Sequence, residues 1–471
     1  MKETIGSKSI VPKSCARQNT SRVHAKTCES QDLQEHFSST VEAQPHPHRS
    51  TVNHHSTSSI FTEQIVYVAL MNFMPPPMTR LRRQSNQSLL PDVNLPDEVI
   101  TEILLWLPVK SLMQMKCVSK SWKTLISNPS FIKMHLSRSA RNPYFSSVVP
   151  TRGYYFLENR SSFIHFPVSC LLENRWIRHP KDPYYRLSDK NCRVVLGSYN
   201  GMICLAGYCN ESTKYKKVWF RFWNPATRKI SDVLGSDVYF NDMHISRFYV
   251  FVFGYESLTD TYKVVSLSST GNEVKVFSLG DNVWRHIRRF PFGARPIFRN
   301  SSLCEGVYLD NNVNWLAYRS DRNGVKKFVV ISLDLATETY TEMLLPFDEG
   351  LHVWGNVCVL MNSLCVYHDL KETDFVIWKL MEFGNVNSWT QFLKFTYQDV
   401  QFYHEIDRSA LFRIRPLHLS ENGDTLVLAN NQNDRAILYN RRTNKARKTR
   451  MYNNISWLSI HDYVESLVLI C

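Results

Sequence analysis

Along residues 95–136 the apolar and polar positions follow a helical period. The apolar residues of the first segment fall on one face of a helix: Val99, Ile100, Ile103, Leu104 and Leu107. Pro96 suits the start of this helix and Pro108 ends it, because proline lacks the N–H that a helix interior needs. Asp97 and Glu98 lie in the first turn, where the helix dipole favours carboxylates. The pattern therefore predicts a helix between the two prolines.

Two more helices and a final turn are expected after it. Ser111 can cap a helix over residues 112–118, and Ser119 can cap Lys120–Ile126. An Asn-Pro pair then stops the run before a last turn around residues 131–136. We therefore predict a three-helix unit, within residues 91–137. A unit this short rarely folds without a partner.

The first helix is apolar around more of its circumference than a surface helix usually is. Leu105 and Trp106 lie off the main apolar stripe. Two interpretations stay open at this point. The helices could form a docking surface for another protein, or they could bury both faces within their own chain.

After residue 143 the pattern changes to short runs rich in Val, Ile, Phe, Tyr and Trp, separated by turns. A unit of two apolar runs around a turn, followed by an aromatic run, recurs about every 50 to 60 residues. The expected inner turns are Asn200-Gly201, Thr259-Asp260, Asn311-Asn312, Asn362-Ser363 and Asn422-Gly423. This recurrence indicates repeated β-sheet units.

A second series of turns supports the first. In three of the units Asn224, Asp334 or Asn440 is followed three residues later by a threonine. A side chain of this kind caps a tight turn with its oxygen, which suits the connection between two antiparallel strands.

Together the two series predict a mainly β protein with a small α domain, in which the helical unit precedes an irregular, kelch-like β-propeller of about six blades. Five blades are expected near residues 193–233, 247–292, 304–346, 353–397 and 414–450. A sixth can be built from residues 154–166 and 457–470, which would close the ring by pairing the chain ends. An elongated pair of packed sheets is the competing interpretation.

Residues 1–90 are expected to form a disordered extension and linker, because the first 60 or so are polar and contain few large apolar side chains. A translation start at Met74 or Met78 is one hypothesis for this segment. The apolar run over residues 65–74 is too short to span a bilayer. We attribute the clustered histidines from His46 to His55 to composition rather than to a metal site.

The 471-residue chain carries a net charge of +14 and has eleven cysteines without a C-x-x-C pair. The charge raises nucleic acid or an acidic protein as a partner, but the basic residues are spread along the chain. A denser basic run, from Arg441 to Arg450, is either an import signal, a patch for an acidic partner, or a solvated hairpin. The cysteines suggest a reducing compartment.

No catalytic motif is present, and neither a cofactor nor a metal is expected. Cys365 and His368 have strand spacing that places them on opposite faces, which disfavours a nucleophile–base pair.

The helical segment resembles an F-box of the form common in plants, through Leu95-Pro96-Asp97-Glu98, the run from Leu107 to Leu112, and the run from Cys117 to Trp122. The repeat region is similar to the F-box-associated domain of plant F-box/kelch-repeat proteins. The matching phrases there are Gly197 to Leu205, Trp223 to Arg228, and Phe253-Gly254-Tyr255 with Asp260 to Val265.

This resemblance implies a non-catalytic substrate-recognition subunit of a Skp-cullin-F-box (SCF) ubiquitin ligase, in the cytoplasm or nucleus. The F-box would bind the Skp adaptor, and through it the cullin and RING subunits, while the propeller would bind an unidentified target protein. No membrane or nucleic acid is expected as a partner. The residues that the resemblance assigns to the adaptor interface are Leu95, Pro96, Ile103, Leu104, Leu107, Pro108, Val109 and Leu112.

Two other classes stay open. A propeller enzyme such as a sugar oxidase would need metal or radical-site residues that converge on the propeller axis. A basic scaffold or nucleic-acid-binding propeller would show a steep dependence of nucleic-acid affinity on salt. Co-purification with the Skp adaptor separates the ligase subunit from both.

Overall fold

The structure is a computed structural model, in which a helical unit precedes six β-sheets. The residues it describes are 96–140, 143–150, 161–175, 186–187, 192–212, 214–240, 248–298, 304–320, 324–347, 355–370, 373–398, 414–430, 435–450, 457 and 460–470. Leu95, residues 1–90 and residues 154–160, which carry some of the expectations above, lie outside this set.

The helical unit contains four helices: α1 Asp97–Leu105, α2 Val109–Val118, α3 Lys120–Ile126 and α4 Pro129–Ser139. The predicted first and third helices are confirmed. The second begins before Ser111, because Pro108 occupies the N-cap and α2 starts directly after it. The expected last turn is a full helix, since Pro129 is its first residue and the Asn128 side chain accepts a hydrogen bond from Ser130 N at 2.8 Å.

A small hydrophobic core holds the four helices together. Leu104, Leu112, Ile126 and Phe131 are buried, one from each helix. His135 of α4 is also buried, and its Nε2 is 2.9 Å from the Leu107 carbonyl oxygen, which ties α4 to the end of α1. Burial lowers the pKa of His135, so the ring is neutral at physiological pH.

The described part of the remaining chain is mostly strand, with one short helix, α5 Val168–Leu172. The strands in chain order are β1 Tyr144–Pro150, β2 Ser161–Pro167, β3 Arg186–Leu187, β4 Cys192–Tyr199, β5 Met202–Asn210, β6 Tyr215–Asn224, β7 Lys229–Ile230, β8 Leu234–Phe240, β9 Tyr249–Glu256, β10 Thr261–Ser268, β11 Val274–Ser278, β12 Val283–His286, β13 Ala294–Pro296, β14 Val307–Leu309, β15 Asn312–Ser320, β16 Lys326–Asp334, β17 Tyr340–Leu344, β18 Gly355–Leu360, β19 Ser363–Leu370, β20 Asp374–Leu380, β21 Trp389–Thr396, β22 Ile414–Leu419, β23 Thr425–Asn430, β24 Ile437–Asn440, β25 Lys445–Lys448 and β26 His461–Tyr463.

These strands form six antiparallel sheets, which are the blades of a propeller. Blade 1 has the order β26-β1-β2-β3, blade 2 contains β4 to β8, and blade 3 contains β9 to β12. Blade 4 contains β13 to β17, blade 5 contains β18 to β21, and blade 6 contains β22 to β25. The prediction of a mainly β protein with a propeller of about six blades is confirmed.

Blade 1 closes the ring by joining the two ends of the domain. β26 pairs with β1, with Tyr463 opposite Tyr144 and His461 opposite Ser146. The predicted closure through the chain ends is therefore confirmed. The closing strand β26 lies within the expected residues 457–470, but its partner is β1, which precedes the expected residues 154–166.

Each pair of neighbouring blades shares one hydrophobic core, because side chains alternate between the two faces of every strand. In β10, Val264 packs with Phe222 between blades 2 and 3, whereas Val265 packs with Trp315 between blades 3 and 4. Corresponding clusters lie between blades 4 and 5, 5 and 6, 6 and 1, and 1 and 2. An elongated pair of packed sheets would not produce this circuit, so that alternative is wrong.

The inner turns connect the first and second strands of the blades. Asn200 and Gly201 form one of them with φ of 50° and 78°, as predicted. Two others are shifted by one residue from their predicted places. The left-handed residues are Asp310-Asn311 in blade 4 and Met361-Asn362 in blade 5.

The chain after β26 lies against blade 2. Asn224 Nδ2 donates hydrogen bonds to the carbonyl oxygens of Ser466 at 3.1 Å and Val468 at 2.8 Å. The Ser466 hydroxyl donates to the Asn200 carbonyl oxygen at 2.6 Å. A Cβ on Gly201 would lie 2.3 Å from Ser466 Oγ, so only glycine fits beneath this tail.

Candidate functional site

The residues that the sequence assigns to an adaptor interface occupy different environments in the helical unit. Four of them are buried: Leu104, Leu107, Val109 and Leu112. Pro96 is exposed, Ile103 and Pro108 are half-buried, and Leu95 lies outside the described residues. The buried four pack the unit itself, and the docking role of the whole set stays a prediction.

One face of α1 presents an apolar stripe to solvent. Pro96, Val99, Ile103 and Trp106 follow one another at helical spacing, so they lie on the same side of the helix. Val99 is 42% exposed and Trp106 is 64% exposed. These four residues are called the α1 stripe below. Sequence reasoning noticed Trp106 as an off-stripe residue but left open whether it is buried.

The Trp106 ring is held in place by a charged neighbour. The Arg138 guanidinium carbon lies 4.2 Å from the ring centroid, and Arg138 Nη1 lies 3.1 Å from Glu102 Oε2. Such a cation–π contact, anchored by an ion pair, restrains the indole without covering all of it. The helical unit therefore presents a restrained and partly exposed tryptophan, a residue type that is enriched in protein interfaces.

A second candidate site lies on the propeller axis. A cavity of about 740 Å³ is lined by residues of the innermost strands, and Lys133 and Ser137 of α4 also line it. Its wall includes the polar and aromatic residues Tyr199, Tyr308, Asp310, Arg415, His461 and Asp462. Tyr199 and Tyr308 pack edge to face with their centroids 4.9 Å apart. No sequence signal marks this cavity, because its wall comes from six separate blades.

Two neighbouring residues that line the cavity, His461 and Asp462, have pKa values shifted in opposite directions. Burial lowers the pKa of His461 to about 3, and the positive charge of Arg415 lowers it further. The surrounding protein raises the pKa of Asp462 to about 6 through desolvation, although part of this residue remains exposed, and the positive charge of Arg415 opposes the rise. At neutral pH the cavity wall therefore carries the neutral imidazole of His461, the carboxylate of Asp462 and the guanidinium of Arg415.

Cys365 and His368 do not form a reactive pair. Cys365 packs in the core between blades 5 and 6, whereas the His368 ring packs against Phe347 with centroids 4.5 Å apart. Trp378 Nε1 donates to His368 Nε2 at 3.3 Å, and burial lowers the His368 pKa. The two residues lie on opposite faces of β19, as their spacing predicts.

Among the residues that the structure describes, no group of three or more His, Cys, Asp or Glu side chains could hold a metal ion. Within the same part of the chain, no helix is both long and apolar enough to cross a membrane.

The basic run from Arg441 to Arg450 is built into blade 6. Arg441 lies over the Phe392 ring at 4.1 Å, Arg442 pairs with Asp424 at 2.6 Å, and Arg447 donates to the Leu172 carbonyl oxygen at 3.0 Å. These contacts favour the interpretation of this run as a solvated hairpin.

Comparisons with known proteins agree with this architecture. A family model of the F-box domain matches residues 93–134, and a model of the F-box associated beta propeller domain matches residues 208–470. An F-box/kelch-repeat protein of Arabidopsis thaliana is 28% identical over 316 residues, which cover 64% of this chain and 79% of the relative. The F-box protein CPR1 of the same plant is 27% identical over 404 residues, which cover 80% of this chain and 89% of that protein.

Solved structures resemble the chain only distantly. A puromycin-hydrolyzing peptidase of Mycobacterium tuberculosis aligns with 55% of this chain and 39% of its own at 8% identity, with a TM-score of 0.33. A similarity this low carries no argument about function.

Fold and surface together define a modular protein, with a short helical unit followed by a closed six-bladed propeller. The chain belongs to the family of F-box proteins with an F-box-associated propeller, since the propeller model alone matches more than half of it.

Proposed function

We propose that this protein is the substrate-recognition subunit of a Skp-cullin-F-box ubiquitin ligase. The F-box binds the Skp adaptor, which connects it to the cullin and RING subunits, and the propeller binds a target protein. The observation that carries the proposal is the pairing of an F-box that exposes an apolar helix face with a closed propeller in one chain.

The proposed contribution of the chain to ubiquitin transfer is positional. Holding a target on the same assembly as the ubiquitin-charged enzyme raises the effective concentration of target lysines near the thioester. Such a role requires no catalytic residue in this chain. We expect the protein to act in the cytoplasm or nucleus, where the other ligase subunits would have to meet it.

The α1 stripe supplies the adaptor contact in this proposal. An exposed Trp flanked by aliphatic side chains is the kind of residue that dominates the binding energy of interfaces. The buried Leu104 instead maintains the helical core, so an arginine there would unfold the unit and would not report on docking.

The test is the affinity of full-length variants for a Skp adaptor, measured by isothermal titration calorimetry. We expect Val99→Asp combined with Trp106→Ala to weaken binding by at least about tenfold, because a carboxylate would be desolvated in an apolar contact. The matched control is Met134→Ala, which removes another exposed apolar side chain, 47% accessible, from α4.

Circular dichroism must first show that the wild-type protein, the double variant and Met134→Ala have equal helix content, so that a change in affinity does not reflect unfolding. Unchanged affinity in the double variant, or an equal loss in Met134→Ala, would contradict the assignment of the α1 stripe to the adaptor.

A further inference from the structure

Two β-hairpins, in blades 2 and 4, carry the same arrangement of lysine and tyrosine. In the β5–β6 hairpin the Lys216 ammonium nitrogen lies 4.6 Å from the centroid of the Tyr208 ring. In the β15–β16 hairpin the Lys326 ammonium nitrogen lies 5.0 Å from the centroid of the Tyr318 ring. A second lysine follows in each hairpin, at positions 217 and 327.

The register of the two hairpins is also the same. Tyr208 lies opposite Val218, and Tyr318 lies opposite Phe328, so each stacked lysine is two residues before the residue that faces its tyrosine. The arrangement therefore recurs at equivalent positions of two blades, which share no local sequence apart from these side chains.

Both hairpins project from the same edge of the propeller. Each joins the second and third strands of its blade, whereas the inner turns, such as Asn200-Gly201, join the first and second strands at the opposite edge. The helical unit enters the propeller at Tyr144, which pairs with the end of β26 and so lies at the edge of the inner turns. The edge with the two hairpins thus faces away from the entry of the F-box.

The connection between β12 and β13 adds charge and an apolar side chain at this edge. Arg288 and Arg289 are exposed, and Phe292 is 98% exposed. Arg319 Nη1 donates to the Phe292 carbonyl oxygen at 2.5 Å, which fixes this connection beside the β15–β16 hairpin. The nearby carboxylate of Glu342 is already engaged, because Arg319 Nε lies 2.6 Å from its Oε1.

We propose that this edge docks an acidic segment of a target protein that carries a large apolar side chain. The surface, called the basic-aromatic surface, consists of Arg288, Arg289, Phe292, Tyr318, Lys326 and Lys327. The lysines and arginines would attract the carboxylates, and Phe292 would give an apolar anchor. The proposal deepens the proposed function, on which the description of the partner as a degradation target rests.

The arrangement favours a peptide over a nucleic acid. Lys326 covers one face of the Tyr318 ring, so bases cannot stack on both sides of it. An exposed phenylalanine beside separated positive charges fits alternating acidic and apolar side chains, as an extended peptide presents them.

The experiment uses the full-length protein and fluorescence anisotropy. The probe is a labelled peptide of alternating glutamate and glycine with one central phenylalanine, and its glutamine counterpart and a single-stranded RNA of equal length serve for comparison. We expect the acidic peptide to bind, the glutamine peptide to bind at least about tenfold more weakly, and the acidic peptide's affinity to fall with added salt.

The decisive variant is Lys326→Glu with Lys327→Glu, which should weaken binding of the acidic peptide by at least about tenfold. Phe292→Ala should also weaken it. The control is Lys229→Glu with Lys445→Glu, which makes the same charge change at two exposed lysines of the opposite edge and should leave affinity within about twofold.

Unchanged peptide affinity in the decisive variant would overturn the proposal. Tighter binding of the RNA than of the acidic peptide, lost in the same variant, would also overturn it and would assign the surface to nucleic acid. Adaptor affinity is measured on the same proteins, so a failure of the F-box assignment is distinguishable from a failure of this surface.

Discussion

At the scale of single residues, the Asn224 side chain both caps a turn and binds the C-terminal tail. Its Oδ1 accepts hydrogen bonds from the backbone of Ala226 and Thr227, as an Asx turn requires. Its Nδ2 donates to two carbonyl oxygens of the C-terminal tail. Asn440 caps the equivalent turn of blade 6, where Oδ1 accepts from Thr443 N at 2.9 Å.

Comparing substitutions at Asn440 and Asn224 distinguishes the stabilisation by the turn cap from the stabilisation by the tail contact, because only Asn224 contacts the tail. We expect Asn440→Ala to lower the free energy of unfolding by about 1 kcal/mol, the usual net value of a hydrogen bond. Asn224→Ala should lower the free energy of unfolding by about 2 to 4 kcal/mol, because it also leaves one buried and one half-buried carbonyl group without their donor. Urea unfolding of both variants measures the difference, and equal losses would show that the tail contributes nothing.

The turn function of Asn224 could be predicted from the sequence, because an Asx turn depends on residues within three positions of the cap. The tail contact could not be predicted, because Ser466 lies 242 residues away and only the closed ring brings it beside blade 2. The α1 stripe was partly visible, since Trp106 lay off the apolar face. The exposure of the α1 stripe depends on how α4 packs against α1, and this packing cannot be predicted from the helical period of α1 alone.

At the scale of elements, the strands follow the alternation of apolar residues closely, whereas turns and caps follow rules that several residue types satisfy. The blade 5 turn is centred on Met361-Asn362, and methionine with φ of 47° gives no turn signal. Likewise, α2 begins after Pro108 rather than at Ser111, because a fixed φ suits the residue next to the first helical turn as well as a serine cap does.

The ring depends on β26 for its closure. This strand is the innermost of blade 1, and its Tyr463 and the following Leu467 are buried. Deleting residues 461–471 removes hydrogen bonds worth about 1 kcal/mol each and apolar burial worth about 1.5 to 3 kcal/mol per large side chain. We expect the propeller to lose its cooperative thermal transition, which calorimetry measures.

The control for this deletion is Leu469→Ala, which changes a 57% exposed side chain of the same tail and should alter stability by less than about 0.5 kcal/mol. A truncated chain that melts cooperatively at the temperature of the full-length protein would contradict the role of β26 in closing the ring.

At the scale of the whole molecule, the topology places the F-box entry and the basic-aromatic surface at opposite edges of the propeller. The F-box enters at the edge of the inner turns, and the basic-aromatic surface lies at the other edge. In the proposed function, the target would bind at the edge away from the adaptor, with the propeller between them. Some basic residues of this chain, which has a net charge of +14, support the fold: Arg442 pairs with Asp424, and Arg447 donates to the Leu172 carbonyl oxygen.

The central claim is that this chain joins an SCF ligase through its F-box. Size-exclusion chromatography with light scattering, on purified chain, Skp adaptor, cullin and RING subunit, tests it most directly. We predict that the chain elutes in an equimolar complex of the four proteins, and that it elutes alone when the adaptor is omitted. Elution of the chain alone in the presence of all three partners, or an unchanged complex without the adaptor, would contradict the proposed function.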